Sequence, residues 1–261
     1  MNRDEHRTYI RSSLANIMRE VVCSAKLLGN GMEFSAVNGY LLQSLFLQMT
    51  GAQEQKMKCI CWELATDDLN YRNKRYYNKG WALNQCSTLN DKTSVYEDLF
   101  SAINSREDGF RLFANTIAKR DFINEILEHI KEVFENTNIA LFHKQKYESF
   151  KILFANLDAA NIITDKNNIF QKGNRDAPIS GVSTRTEVFA IYSLLYRHRN
   201  RCAHNTPSYQ LNLPHLQELR DSNYQKYDNI FLFYAILLMI DEIFRRLYDK
   251  YEELRELDIR Y

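Results

Sequence analysis

Apolar residues recur along this chain at intervals of three and four, the spacing of one helix face, and no stretch alternates as a half-buried strand would. Tyr9, Leu14, Ile17, Val21 and Leu28 fit one amphipathic helix, ended by Gly29-Asn30-Gly31. Ser35 is placed to cap a second helix that reaches Met49 and stops at Gly51, and a third runs from about Gln53 to Tyr71. A polar, aromatic stretch with a turn at Gly80 follows, up to Asn90. Ser94 and Glu97 then make a capping-box pair ahead of Leu99, Phe100 and Ile103. Phe110 to Ile117 reads as a short helix, Phe122, Ile126, Ile130, Val133 and Phe134 mark the next, and Leu141 to Leu157 gives another.

The longest polar gap, Thr164 to Ser183, contains Gly173, Pro178 and Gly181 and reads as a loop. Thr184 and Glu187 form a second capping box, and the helix behind them carries Val188, Ile191, Leu194 and Leu195. Pro207 sets its far limit, Pro214 could start a short helix to Leu219, and a long final helix runs from about Asp228 to Leu257. The expected fold is therefore all-α, a helical bundle with a long C-terminal helix. Two regions are readable, 1–90 and 94–258, but no linker separates them, so one continuous domain fits equally well.

Composition narrows this picture. A chain of 261 residues can bury a core without disulfide or metal staples. The net charge of +1 gives no global basic excess, so any nucleic-acid contact must come from local patches. The five cysteines have no framework spacing, and free thiols in a reducing cytoplasm are the simplest reading. Neither they nor the histidines show zinc-site spacing, so neither a metal nor another cofactor is expected. Met1 to Arg11 is too polar for a signal peptide. The longest apolar run, Ile230 to Ile240, falls short of the roughly 20 residues that span a bilayer, so no membrane association is expected.

Chemistry concentrates in residues 197–205, Arg-His-Arg-Asn-Arg-Cys-Ala-His-Asn, at the end of an apolar helix. Arginine is always cationic and holds a phosphate with a planar fork, and histidine exchanges a proton near neutral pH. Together they supply what RNA cleavage by the 2′-hydroxyl needs: a proton-transfer group and a group that stabilises charge developing on phosphate. Arg199 and His204 are the candidate catalytic pair. On an ideal helix they lie about 140° apart around the axis, while Arg197, Asn200 and Arg201 lie nearer the face of His204. Those three are candidate supporting or phosphate-binding residues, and which arginine is principal stays open. The bland alternative is a solvated helix end whose basic side chains favour the helix dipole.

The segment resembles the HEPN superfamily, helical domains marked by an Arg, four to six residues and a His, often with Asn directly after the Arg. Arg199-Asn200-x-x-x-His204 matches, Arg197 meets the looser spacing, and no other His in the chain has an Arg so placed. The resemblance covers about Ser94 to Leu257. It implies a HEPN-like bundle that forms a homodimer, a composite Arg/His cleft between two copies, and metal-independent endoribonuclease activity of the kind found in toxins and anti-phage effectors. One departure matters: members modified by a paired nucleotidyltransferase carry Tyr two residues after the His, and here Thr206 stands there.

Residues 71–81 interleave basic and aromatic side chains. Arg72, Lys74, Arg75, Tyr76 and Tyr77 are candidate RNA contacts, since such mixtures grip phosphates and stack bases; the aromatics tucking into the core is the competing reading. A freely active ribonuclease harms its own cell, so an inhibitor or defence-system partner protein is expected. The competing functional reading is a non-catalytic helical module in which the same cluster holds RNA or a nucleotide, or a regulatory partner in a defence system.

Overall fold

The computed structural model describes residues 3–25, 31, 34–76, 86–163, 170, 186–204, 214 and 216–260. Among them the fold is all-α, with no strand. The helices are α1 (Arg3–Arg11), α2 (Leu14–Ala25), α3 (Ser35–Asp67), α4 (Leu69–Tyr76), α5 (Leu89–Asn104), α6 (Thr116–Phe134), α7 (Asn138–Phe142), α8 (Lys144–Ala155), α9 (Glu187–His204), α10 (Ser222–Tyr227) and α11 (Ile230–Arg260).

α11 is the central element. Residues 231–240 are buried on every side, which is why this helix is apolar all round at its start and amphipathic only later. It packs against α1, α2, α3, α5, α6, α8 and α9. Each of its large apolar side chains stabilises the fold by roughly 1.5–3 kcal/mol relative to exposure. Phe231 and Tyr234 meet Phe134 of α6 at ring distances of 5.2 and 5.6 Å. α3, with 33 residues, spans about 50 Å at 1.5 Å per residue and touches α1, α2, α4, α5, α7, α9 and α11. One hydrophobic cluster contains residues from Ile10 to Leu254, so the region 1–90 and the region 94–258 share a core.

Several local expectations are corrected. The first helix is two helices, because Ser12 turns its hydroxyl onto the Tyr9 carbonyl (2.7 Å) and Ser13 Oγ accepts from Ala15 N (3.2 Å). Gly51 does not stop α3, which runs through it to Asp67; Asp68 then caps α4 by accepting from Asn70 and Tyr71 backbone N–H groups. Ser94 and Glu97 lie inside α5, whose capping box is Thr88 and Asp91. Phe110 to Phe113 is not helical: Gly109 takes φ +76° and the chain turns, with Phe110 packed on Phe100, before Asn115 caps α6. The helix expected over Leu141 to Leu157 is divided at His143 into α7 and α8. A 3-10 turn at Glu218–Arg220 and the Asp221-capped α10 replace the short helix expected from Pro214. Gly29, Asn30, the loop residues 164–169 and 171–183, Thr184 and Pro207 lie outside the described residues.

Gly51 gives the first prediction. It sits exposed inside α3, and an added Cβ meets nothing within 4 Å. Helical glycine costs about 0.5–1 kcal/mol relative to alanine. Gly51→Ala is expected to raise unfolding free energy by that amount and Tm by about 2–4 °C per kcal/mol, read by thermal and urea unfolding.

Candidate functional site

α9 is a helix with two characters. Val188, Ile191, Tyr192, Leu195 and Cys202 are buried against the core, while the arginines leave its flanks. His198 belongs to the inner side. Its ring meets Phe46 edge-on at 5.1 Å and Phe233 at 5.5 Å, and Nε2 lies 3.5 Å from Cys202 Sγ. Burial first, and then the nearby Arg201 charge, hold its pKa down to about 4. Half-buried with its pKa held this low, it is uncharged at neutral pH and poorly suited to proton transfer there.

The three arginines divide between two carboxylate sets. Arg197 reaches Glu218 Oε1 at 3.2 Å and Asp221 Oδ2 at 3.3 Å, and Arg201 reaches the other Glu218 oxygen at 2.8 Å. Being one helical turn apart, Arg197 and Arg201 share one partner. Hydrogen bonding from the Asn223 backbone, together with Arg197, keeps Asp221 ionised below its ordinary range. Arg199 leaves the helix toward α3. Its Nη2 lies 3.2 Å from Glu54 Oε1, its Nη1 donates to Asn200 Oδ1 at 3.2 Å, and its side chain is 28% exposed. Asn200 is therefore a neighbour that orients Arg199. The α9 backbone ends at His204, whose side chain lies outside the described residues.

Sequence reasoning missed the groups beneath Arg199. Gln53 accepts the Tyr192 hydroxyl at 3.3 Å and donates to the Leu237 carbonyl at 3.3 Å, tying α3 to both α9 and α11. Lys92 of α5 is 2% exposed and donates to the Cys86 and Ser87 carbonyls at 2.9 and 3.2 Å. Its ammonium lies 5.8 Å from the Tyr192 ring centre. Burial lowers its pKa to about 8, against the favourable charge of Glu54. Gln53, Glu54 and Lys92 sit in ordinary helical stretches, so no local motif marks them. Glu187 accepts the Tyr227 hydroxyl at 3.1 Å and pairs with Lys226 at 3.7 Å, which joins α9 to α10.

The basic–aromatic stretch separates by residue. Arg72 and Lys74 are exposed on α4, with Arg72 Nε bonded to the Ala65 carbonyl at 2.8 Å. Arg75, expected at an RNA surface, is turned inward instead: it is 5% exposed, 2.9 Å from Asp98 and 2.8 Å from Ser94 Oγ. The helical period decides this, since Arg75 falls on the α4 face that meets α3 and α5. The Tyr76 side chain and Tyr77 lie outside the described residues.

Among the described residues no group of His, Cys, Asp or Glu side chains is placed to hold a metal ion. No helix among them is long and apolar enough to cross a membrane. Comparison with family models, with curated proteins and with solved structures finds no significant match.

Proposed function

We propose that this protein is a HEPN-like, metal-independent RNA endonuclease, with the end of α9 as its working segment. The observation that carries this reading is the pairing of Arg199 with Asn200 at a partly exposed helix end, on the helix that finishes at His204. In the proposed reaction His204 moves protons as general acid or base, and Arg199 stabilises charge on the phosphate. An incoming phosphate takes the Arg199 guanidinium from Glu54. Arg197 and Arg201 share Glu218, so they act as a rigid basic flank. A homodimer would bring two such segments together under two-fold symmetry. In a cell the activity suits a toxin or anti-phage effector restrained by an inhibitor or partner protein.

The test is RNA cleavage in EDTA by purified protein beside Arg199→Ala and His204→Ala. Each variant is expected to lose on the order of a hundredfold in rate. Equal cleavage by all three sinks the proposal. The engagement of every α9 arginine by a carboxylate favours a second reading, a non-catalytic RNA- or nucleotide-binding module or regulatory partner. RNA bound at low salt, uncut, and held as well by His204→Ala as by wild type, would select it.

A further inference from the structure

Arg199 already holds two oxygens. Glu54 Oε1 lies 3.2 Å from its Nη2, and Asn200 Oδ1 accepts from its Nη1 at 3.2 Å. One oxygen on each terminal nitrogen is the pattern in which an arginine fork grips two oxygens of a phosphate. The carboxylate and the amide therefore engage the donors that a phosphate would need.

The carboxylates that meet the α9 arginines differ in how firmly they are held. Glu218 is buried and shared by Arg197 (3.2 Å) and Arg201 (2.8 Å), so it bridges two guanidinium groups one helical turn apart. The Glu54–Arg199 pair is more open, with side chains 15% and 28% exposed. An ion pair that water reaches is opened more readily than a buried one, because both separated charges can be solvated.

The backbone nevertheless keeps Glu54 at its post. The residue before it, Gln53, accepts the Tyr192 hydroxyl at 3.3 Å and donates to the Leu237 carbonyl at 3.3 Å. α3 is thus tied to α9 and α11 beside the ion pair. The Glu54 carboxylate is free to rotate off the guanidinium, but its helix stays in place.

We propose that Glu54 is an acidic latch on Arg199, an internal anion that neutralises the working arginine at rest and competes for it with the phosphates of a nucleic-acid strand. The inference rests on the reading of Arg199 as a phosphate-binding group. A docking strand exchanges one anion for another at the guanidinium and brings its phosphate close to the displaced carboxylate. Both effects lower the affinity of the resting protein for the strand. Glu54 touches no reacting atom in this scheme. It acts through Arg199 and sets how readily a strand is admitted.

The test uses the full chain and a short fluorescein-labelled single-stranded DNA. This probe lacks the 2′-hydroxyl that cleavage would use, so it stays uncut. Anisotropy titrations at low salt compare wild type, Glu54→Gln, Arg199→Ala and the double variant. Gln keeps the length of Glu and a carbonyl acceptor but carries no charge. Glu54→Gln is expected to bind about tenfold tighter than wild type, and Arg199→Ala to bind more weakly. In the Arg199→Ala background the gain from Glu54→Gln is expected to shrink to about twofold or less. That loss of additivity separates a latch from the general effect of removing one negative charge. A Glu54→Gln affinity no better than that of wild type would overturn the latch, as would a gain of equal size in both backgrounds. Binding is read without cleavage, so the two proposals fail separately. A latch in a protein that cuts no RNA removes the nuclease reading alone, and RNA cleavage without the latch effect removes this inference alone.

Discussion

Lys56→Met is expected to lower the unfolding free energy by about 3–5 kcal/mol, because it leaves a buried carboxylate without its cation. Lys56 on α3 and Asp241 on α11 form an ion pair of 2.6 Å with side chains 6% and 2% exposed. The same ammonium donates to the Ser12 carbonyl, and the other Asp241 oxygen accepts from Leu14 N at 3.0 Å. The pair therefore fastens the break between α1 and α2 to both long helices. Burial lowers the Lys56 pKa and raises that of Asp241, and their mutual attraction opposes both shifts.

Removing both charges is a different experiment. Lys56→Met combined with Asp241→Asn keeps an acceptor for Leu14 N and leaves no buried charge, so it is expected to recover at least half of the loss. Urea unfolding of the wild type, both singles and the double variant gives the coupling directly. A single-variant loss below about 1 kcal/mol, the scale of a surface ion pair, would refute this account of the junction.

His198 sets the second large effect, through pH. Its folded-state pKa is about 4, against an unfolded value near 6.5. A depressed histidine pKa means that the unfolded chain binds the proton first. The stability that neutral His198 contributes is complete above about pH 6.5 and is lost as pH falls toward 4. At 1.36 kcal/mol per pKa unit the window is worth about 3 kcal/mol. His198→Gln has no titrating ring, so the free-energy difference between wild type and variant should shrink by that amount from pH 7 to pH 4. A difference that stays level across this range would show that His198 is charged or exposed in the folded protein. The cause would then have to be sought away from Phe46, Phe233 and Arg201, the groups that desolvate and repel the imidazolium.

The inward turn of Arg75 narrows the surface on which the proposed RNA contact would lie. With Arg75 committed to Asp98 and Ser94, the charges that α4 still offers are Arg72 and Lys74. The inward guanidinium instead ties α4 to α5. A basic–aromatic run therefore contains two kinds of arginine that composition cannot tell apart.

Helical periodicity alone determined the all-α class, the apolar face of α6 from Phe122 to Phe134, the long final helix and the apolar face of α9 leading into the arginine cluster. These follow from spacing within a few turns, which the sequence displays directly. Helix ends were less legible, because Thr88, Asn115, Asp68 and Ser13 act as caps only where the chain actually turns, and other Ser, Thr and Asp residues look the same. What the tertiary structure decided is which charges are available. Glu54 meets Arg199 across 145 residues of chain, and Asp241 meets Lys56 across 185. Arg197 and Arg201 converge on Glu218, and burial beside Phe46 and Phe233 lowers the pKa of His198. Charge pairing and desolvation depend on distance through space and on burial, and neither is encoded in the local pattern from which helices are read.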